Sequence, residues 1–314
     1  MRPARMDATF HIPVLGDVAA QALVTHSGWT YVDGTLGGGG HAEKICERLA
    51  GNGRCVCFDC DDDAIRFASG RLESFRDRVT FVRANFRALR PELRRLGIER
   101  IGGLLLDLGV SSFQIDEGTR GFSFQTAGPL DMRMDRRQAV SAREVVNGYA
   151  EAALADVIFR YGEERSARRV ARRIVARRPI DSTADLRTAV EEAVGQRFPT
   201  KSLARVFQAL RIEVNRELEN LETVLRDAVE MLLPGGRCVV ISYHSLEDRI
   251  VKQFFRNASR RTVPSGHKLI PDTELTPLLR IVTPRPVEPS AEETGGNPRA
   301  RSARMRIAER LRED

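Results

Sequence analysis

The stretch Tyr31-Val-Asp-Gly-Thr-Leu-Gly-Gly-Gly-Gly-His41 decides the fold, because a short apolar run here ends in an acid and then in glycines. A strand that ends in glycines and leads into a helix lets the backbone approach a ligand closely, with helix N–H groups facing it. The spacing Gly37-x-Gly39-x-x-Ala42 fits the loose dinucleotide fingerprint. A tight turn that merely needs glycine is the plain alternative. Four consecutive glycines between a predicted strand and a predicted helix favour a cofactor site.

Two acids near this turn indicate the kind of cofactor. Asp59 lies 20 residues beyond Gly39 at the end of the next predicted strand, where a carboxylate can accept both ribose hydroxyls of an adenosine. Asp33 ends the first strand, beside the place that the phosphates of NAD would take, and would repel them. The same acid suits the ammonium or sulfonium of S-adenosylmethionine. These features favour a methyltransferase over an NAD-type oxidoreductase.

Outward from the turn, strands and helices alternate through the first third of the chain. The predicted strands are 29–33, 54–59, 79–82 and 101–108, and the predicted helices are 42–49, 63–72 and 86–96. This alternation argues for a parallel sheet with helices on both faces. Asp107 lies at the polar end of a central strand, where ligands bind, and is therefore a candidate contact. Phe86 follows the third strand, where it either packs on an adenine ring or belongs to the core.

A long interruption follows the fourth strand. Between Gly109 and Pro234 lie 124 residues, far more than a loop or a single crossover needs. Their pattern predicts helices at 150–159, 164–175, 184–194 and 203–233. The Pro-Gly-Gly turn that begins at Pro234, before a late apolar strand, resembles class I methyltransferases.

The remainder of the chain completes the predicted architecture. We predict a strand at 237–243, a helix at 246–255 with Ser245 and Asp248 as its capping box, a loop at 262–298 and a strand at 304–309. The fold class is therefore α/β, a class I (Rossmann-like) methyltransferase fold with an inserted, mostly helical domain. Residues 1–112 and 218–314 form the predicted cofactor-binding domain, and residues 113–217 the insert.

Composition excludes several classes of protein. No strictly apolar run reaches five residues, so we expect neither a membrane-spanning helix nor a signal peptide, and we expect a cytoplasmic protein. The net charge of +7, with 46 of the 50 basic residues being arginine, is compatible with a polyanionic partner. The cluster Cys55, Cys57 and Cys60 suggests a metal, but Cys55 and Cys57 lie on an apolar strand and are interpreted as small core residues. We predict no metal site.

Nine segments together resemble the bacterial 16S rRNA cytosine-N4 methyltransferase H family. They are HIPVL (11–15), DGTLGGGGH (33–41), DLGVSSFQID (107–116), RGFSF (120–124), GPLDMRMD (128–135), YGEERSARRVARRIV (161–175), FQALRIEVNREL (207–218), ISYHSLEDRIVK (241–252) and NPRARSARMRIAER (297–310). They span nearly the whole chain in order. Gly16-Asp17 and Phe113 depart from the usual pattern without affecting a central position.

The resemblance implies both a cofactor and a reaction. The family's positions for binding S-adenosylmethionine carry over to Gly39, Gly40, His41, Asp59, Phe86, Asp107 and Gln114. The implied reaction is methyl transfer to the exocyclic N4 of a cytidine near the decoding site of small-subunit rRNA. Asp107 is the candidate catalytic acceptor for an N–H of that amine. The Asp-Pro-Pro-Tyr-type tetrad of many amino-methyltransferases is replaced here by Asp-Leu-Gly-Val, so its mechanism does not transfer.

The implied partner is small-subunit rRNA within the ribosomal subunit, bound by a monomer or a homodimer. Residues 160–178 hold eight arginines against two glutamates, which suits phosphate but is also typical of a solvated helix face. The segment Arg299-Ala-Arg301-Ser-Ala-Arg304 is a second candidate. Phe122 and Phe124 either stack on the extruded base or anchor the insert. A non-catalytic RNA-binding assembly factor is the remaining alternative.

Overall fold

A computed structural model of the chain describes residues 13–111, 114–115, 117–195, 199–263, 265 and 272–311. The polar start of the chain, the first two residues of HIPVL and Phe113 lie outside the described residues. By their contacts the residues separate into two compact units. One contains the chain up to Gly109 and from Asn220 onward, and the other is Val110–Glu219.

Helices and strands alternate up to Asp107, helices alone follow up to Met231, and strands with two further helices complete the described part of the chain. The strands are β1 (Thr30–Asp33), β2 (Arg54–Asp59), β3 (Val79–Arg83), β4 (Ile101–Asp107), β5 (Leu232–Ser242), β6 (Thr262–Val263), β7 (Thr273–Glu274), β8 (Leu279–Ile281) and β9 (Arg304–Arg310). The helices are α1 (Gly16–Leu23), α2 (Gly40–Cys46), α3 (Asp62–Arg71), α4 (Leu89–Arg95), α5 (Ala142–Gly148), α6 (Glu151–Gly162), α7 (Ala167–Ala176), α8 (Thr183–Val194), α9 (Pro199–Asn215), α10 (Glu217–Met231), α11 (Ser245–Ala258) and α12 (Ala291–Gly296).

A seven-stranded sheet organises the first unit, in the order β3-β2-β1-β4-β5-β9-β8. The strands from β3 to β5 are parallel, and β9 runs antiparallel to both of its neighbours. Strand order reverses between β1 and β4, which is the switch point where open α/β sheets bind ligands. The predicted α/β class with a Rossmann-like parallel sheet is confirmed.

The sheet is buried on both faces. On one face, β4 and β5 side chains pack with Leu93 of α4, Val224 of α10 and Phe255 of α11. On the other, Leu105 and Val239 pack with side chains of α1, α2 and α3. Because both faces are covered, the central strand β4 reads as a continuous apolar run rather than an alternating one.

The buried cysteines behave as the sequence predicted. Cys55 and Cys57 are fully buried in β2, and they are free thiols, as is the half-buried Cys60. Burial raises the pKa of the Cys57 thiol, so these side chains contribute apolar volume rather than charge.

Helices alone form the second unit within the part of it that the structure describes. Its core is lined by apolar side chains of α5 to α9, such as Val145, Ile158, Ile174, Val190 and Leu210. The predicted single helical pattern at 203–233 is in fact two helices. Arg216 has a φ of +50°, and this left-handed residue separates α9 from α10. Among the described residues, no helix combines the length and apolar character needed to cross a membrane.

Three predicted elements need correction. The helix expected at 86–96 begins only at Leu89, because the Asn85 side chain accepts the Arg87 N–H and holds a tighter turn before it. The predicted loop at 262–298 contains β6, β7, β8 and α12. The capping box of α11 is formed by His244 and Glu247, not by Ser245 and Asp248.

Asp248 instead fastens α11 to the sheet. Its carboxylate accepts two hydrogen bonds from the Arg306 guanidinium of β9, at 2.6 and 3.0 Å, and both residues are buried. The Arg306 guanidinium outweighs the effect of burial and lowers the pKa of Asp248. A bidentate pair of this kind defines the orientation of α11 as well as its position.

Candidate active site

The carboxyl ends of β1, β2, β4 and β5 meet at one edge of the sheet, beside the switch point. Each strand ends there in a polar or aromatic side chain: Asp33, Asp59, Asp107 and Tyr243 respectively. Parallel pairing brings these four positions together although they are spread over more than 200 residues of sequence. The site is therefore a property of the sheet rather than of any local motif.

The glycine turn links β1 to α2 across this edge. It begins with the Gly34 N–H donating to the Leu105 carbonyl at 2.9 Å, and it ends at Gly39, which caps α2. Gly39 has a φ of +77°, and a Cβ there would lie 3.1 Å from the Cβ of Ala68. Glycine is therefore required for both conformation and space. Phe86 lies against the start of the turn, since a Cβ on Gly34 would be 3.4 Å from the Phe86 Cβ.

Asp33 is fully buried beneath the turn. Its Oδ1 accepts the Thr35 N–H at 3.0 Å, whereas its Oδ2 has no hydrogen-bond partner. Burial raises the pKa of Asp33 from 3.8 to about 6. A buried carboxylate oxygen without a donor is costly, and a ligand that brings a cation or a donor to this edge would compensate it.

Asp59 connects the turn to β2. Its Oδ2 accepts the Gly37 N–H and its Oδ1 accepts the Asp61 N–H, both at 2.9 Å. Burial raises its pKa to about 6 despite these bonds, yet part of its surface stays accessible. A carboxylate offers about four lone-pair sites, so Asp59, which also accepts the Cys60 N–H, can still accept a hydroxyl donor from a ligand.

Asp107 is held on three sides. Its N–H donates to Thr35 Oγ1 at 2.6 Å, its Oδ1 accepts the Tyr243 hydroxyl at 2.7 Å, and its Oδ2 lies 3.7 Å from His41 Nδ1. Burial raises its pKa, against the opposing effects of His41 and Tyr243. The side chain keeps 24% of its surface exposed, so Asp107 can be reached from solvent.

His41 lies between Asp107 and the Val14 carbonyl. Its Nε2 lies 3.0 Å from the Val14 carbonyl, which can only accept, so Nε2 carries a proton. Nδ1 therefore faces Asp107 either as an acceptor or, in the imidazolium, as a donor. His41 is buried, its Nδ1 lies 3.7 Å from Asp107 Oδ2, and it also interacts electrostatically with Asp33, where it lowers the pKa of that carboxyl.

Sequence reasoning missed Tyr243, Thr35 and Val14. Thr35 and Val14 act through short polar contacts, the Val14 carbonyl being a backbone group that no side-chain pattern reveals. Tyr243 was recoverable, because it ends the predicted strand 237–243, whose carboxyl end lies beside that of β4. Gln114, the remaining predicted cofactor contact, belongs to the other unit, where it is buried and its Oε1 accepts the Ser111 N–H at 3.1 Å.

The aromatic and basic candidates of the inserted unit have structural partners. The Phe124 ring meets that of Phe207 edge-on at 5.5 Å, and the Arg120 guanidinium lies over Phe122. These contacts favour the interpretation that both phenylalanines anchor the insert. In α7 and just beyond it, Arg173 and Arg177 donate to Glu192 at 2.6 and 2.7 Å.

The three acids of this edge fit a ligand that carries a positive charge and hydroxyl groups. Asp33, Asp59 and Asp107 all have raised pKa values because burial disfavours their charged forms. A positive ligand group would offset that cost, whereas a diphosphate would add to it. The preference for a cation over a diphosphate depends most on the Oδ2 of Asp33, which has no hydrogen-bond partner.

Comparison with known proteins agrees with this chemistry. Residues 8–311 match the MraW methylase family. The chain is 47% identical to "Ribosomal RNA small subunit methyltransferase H" of Carboxydothermus hydrogenoformans, and 41% identical to the protein of that name from Finegoldia magna. Each alignment covers 96% of this chain and 98% of the relative.

Solved structures with a similar fold are much more distant in sequence. An rRNA methylase from Streptococcus thermophilus is 10% identical with a TM-score of 0.43, covering 95% of this chain and 94% of that one. Fibrillarin from Aeropyrum pernix, solved with S-adenosylmethionine, is 11% identical with a TM-score of 0.41, covering 93% and 73%.

The sheet order and the acid-lined glycine turn define a methyltransferase of the Rossmann-like class, whose methyl donor is S-adenosylmethionine. More narrowly, the chain belongs to the MraW methylase family, as its match over residues 8–311 shows. This membership also decides against the alternative of an NAD-type oxidoreductase.

We expect Asp33→Asn to stabilise the protein while preserving the shape of the side chain. The folded state holds the Asp33 proton more tightly than the unfolded chain, so stability falls as the pH rises from 3.8 to about 6 and stays lower above it. At pH 7 the variant should gain about 1–3 kcal/mol in unfolding free energy, and the gain should vanish at about pH 4. Urea denaturation across this pH range measures the effect.

Asp59→Asn is the matched control. Burial raises the pKa of Asp59 as well, but both of its oxygens accept backbone N–H groups, so the amide loses one of these bonds and the gain at pH 7 should be smaller than for Asp33→Asn. An Asp33→Asn gain that is equal at pH 4 and pH 7 would contradict the assignment of a buried, unpartnered charge.

Proposed function

We propose that this protein transfers a methyl group from S-adenosylmethionine to the exocyclic N4 of a cytidine in the decoding region of small-subunit rRNA. The observation that carries the proposal is the edge where Asp33, Asp59 and Asp107 lie together, with Asp33 fully buried and one of its carboxylate oxygens unpartnered. The names of relatives at 41–47% identity support rRNA as the substrate. The resemblance of the sequence motifs supports the N4 position.

The residues proposed to bind the donor share this edge or were carried over from the family pattern. They are Gly39, Gly40, His41, Asp59, Phe86, Asp107 and Gln114. Within the sheet unit, Asp59 is proposed to accept the ribose hydroxyls, because its oxygens retain free lone pairs and accessible surface. Phe86 lies beside Gly34, where its half-buried ring can cover an adenine.

The bound donor supplies an electrophilic methyl on a sulfonium. As the N4–C bond forms and the C–S bond breaks, the amine nitrogen must lose one proton. Asp107 is the proposed acceptor, because its Oδ1 is already engaged by Tyr243 while its Oδ2 faces the open side near His41. Accepting an N–H makes the conjugated amine a better nucleophile, and holding it in line with the methyl lowers the entropic part of the barrier.

The inserted unit is proposed to take part in holding the RNA. Its arginines in and around α7 present positive charge, although Arg173 and Arg177 are paired with Glu192 in this structure. Exposed pairs of this type are weak, so phosphate can replace the carboxylate. Arg299, Arg301 and Arg304 remain the second proposed contact.

The function is tested by mass spectrometry of nucleosides from small-subunit rRNA of a strain that lacks this gene. We expect N4-methylated cytidine to disappear, to return with the parent gene, and to stay absent with Asp107→Asn. An unchanged nucleoside profile in the deletion strain would refute the proposal. Restoration of subunit assembly by Asp107→Asn without methylation would point to the assembly-factor alternative instead.

Asp59→Ala should weaken the binding of S-adenosylmethionine. The change removes the ribose acceptor and releases the Gly37 N–H, so we expect Kd to rise at least tenfold, about 1.4 kcal/mol. Isothermal titration calorimetry measures it, with Asp63→Ala on α3 as a control, since Asp63 pairs only with the exposed Arg66. Undiminished affinity would remove Asp59 from the proposed site.

Tyr243→Phe should slow catalysis by about 10- to 100-fold, the value of one hydrogen bond to a charged group. The Tyr243 hydroxyl lowers the pKa of Asp107, so its loss should also move the acid limb of the pH–rate profile to higher pH. A lower melting temperature with an unmoved acid limb would indicate a structural role only.

A further inference from the structure

We infer that the outward face of α11 binds the phosphate backbone of the RNA substrate, an inference that rests on the proposed function. This helix leaves the active-site edge directly, because its cap His244 follows Tyr243, whose hydroxyl bonds to Asp107. Nucleotides that flank the target base would therefore meet α11 as they leave the site.

The basic residues of α11 follow a helical row. Arg249, Lys252, Arg256 and Arg260 are spaced by three, four and four residues, and all four are exposed. Positions at this spacing share one face of a helix. Arg260 lies two residues beyond the end of α11, and the part of the row on the helix, from Arg249 to Arg256, extends over about 10 Å at 1.5 Å per residue. The opposite face is apolar and buried through side chains such as Val251.

The acids of α11 do not neutralise this row. Glu247 and Asp248 are both buried and are used inside the unit. Glu247 accepts the Tyr243 N–H at 2.9 Å, and Asp248 accepts the bidentate pair from Arg306. Because the helix's acids point inward, its exposed face is positive without an intervening negative side chain.

The cations of this row also differ from those of α7 in their partners. In the described part of the chain, no carboxylate lies within 4.0 Å of the charged groups of Lys252, Arg256 or Arg260. Arg173 and Arg177, by contrast, share Glu192. Phosphate binding by Lys252, Arg256 and Arg260 thus breaks no ion pair among the described residues and releases the counterions of the phosphates.

The α11 row fits RNA better than an acidic protein. Arg249, Lys252 and Arg256 lie along one face of the regular helix and Arg260 follows its end, with Gln253 and Asn257 beside them as neutral donors. Apolar anchors of the kind that dominate protein interfaces are missing from that face, since Val251 and Phe255 point into the core. Phosphates along a strand match such a linear, polar row.

The experiment compares the salt dependence of RNA binding. The variant Lys252→Ala/Arg256→Ala/Arg260→Ala is titrated with naked small-subunit rRNA and with small subunits, in the presence of S-adenosylhomocysteine. The matched control is Arg54→Ala/Arg66→Ala/Arg76→Ala, which removes the same charge from exposed positions on β2, on α3 and after α3. Melting temperature and S-adenosylhomocysteine affinity should equal those of the parent in both variants.

We expect the slope of log K against log salt to fall by about 2 for the α11 variant and by much less for the control, since each lost phosphate contact removes ~0.7–0.9. An unchanged slope would overturn the inference. A loss of affinity for small subunits but not for naked rRNA would also overturn it, in favour of a protein partner. Failure of the proposed function is distinguishable, because the parent protein would then not methylate rRNA at all.

Discussion

The whole site depends on the meeting of three carboxylates at one edge of the sheet. Asp33 is fully buried with no partner for one of its oxygens, and burial is the main cause that raises its pKa to about 6. Such an arrangement opposes folding, so the rest of the unit must compensate by apolar packing on both faces of the sheet. A cationic ligand would relieve the same cost, so the proposed site would favour a sulfonium over its neutral thioether product.

How much of this could be predicted from the sequence depends on the range of the interactions involved. The glycine turn, β2 and the three acids were predictable, because local patterns place each at a strand end. The Tyr243 hydroxyl bond to Asp107 was not predicted, since the two residues are 136 positions apart and meet only through the β4–β5 pairing. The cap of α11 was predicted wrongly because Ser245 is the more usual capping residue, whereas the backbone places His244 there.

The number of arginines in a segment does not by itself identify a binding surface. Residues 160–178 carry the densest basic charge in the sequence, yet Arg173 and Arg177 are joined to a glutamate of the next helix. The basic row of α11 is sparser, but the acids of its own helix are turned into the core. Charge density along the chain does not reveal which cations are available to a partner, because an ion pair forms between elements that the sequence keeps apart.

The insertion of a whole unit between two paired strands has a consequence for biosynthesis. β4 and β5 are neighbours in the sheet, but 124 residues separate Asp107 from Leu232. In addition, the Leu15 N–H donates to Glu293, so the loop that holds His41 is completed by a residue 278 positions further along the chain. A nascent chain therefore carries the leucine-rich edge of β4 unpaired while the insert is synthesised, and an uncovered edge of that kind is a template for aggregation. Folding of the helical insert as a unit while it is synthesised would shorten the time for which that edge stays uncovered.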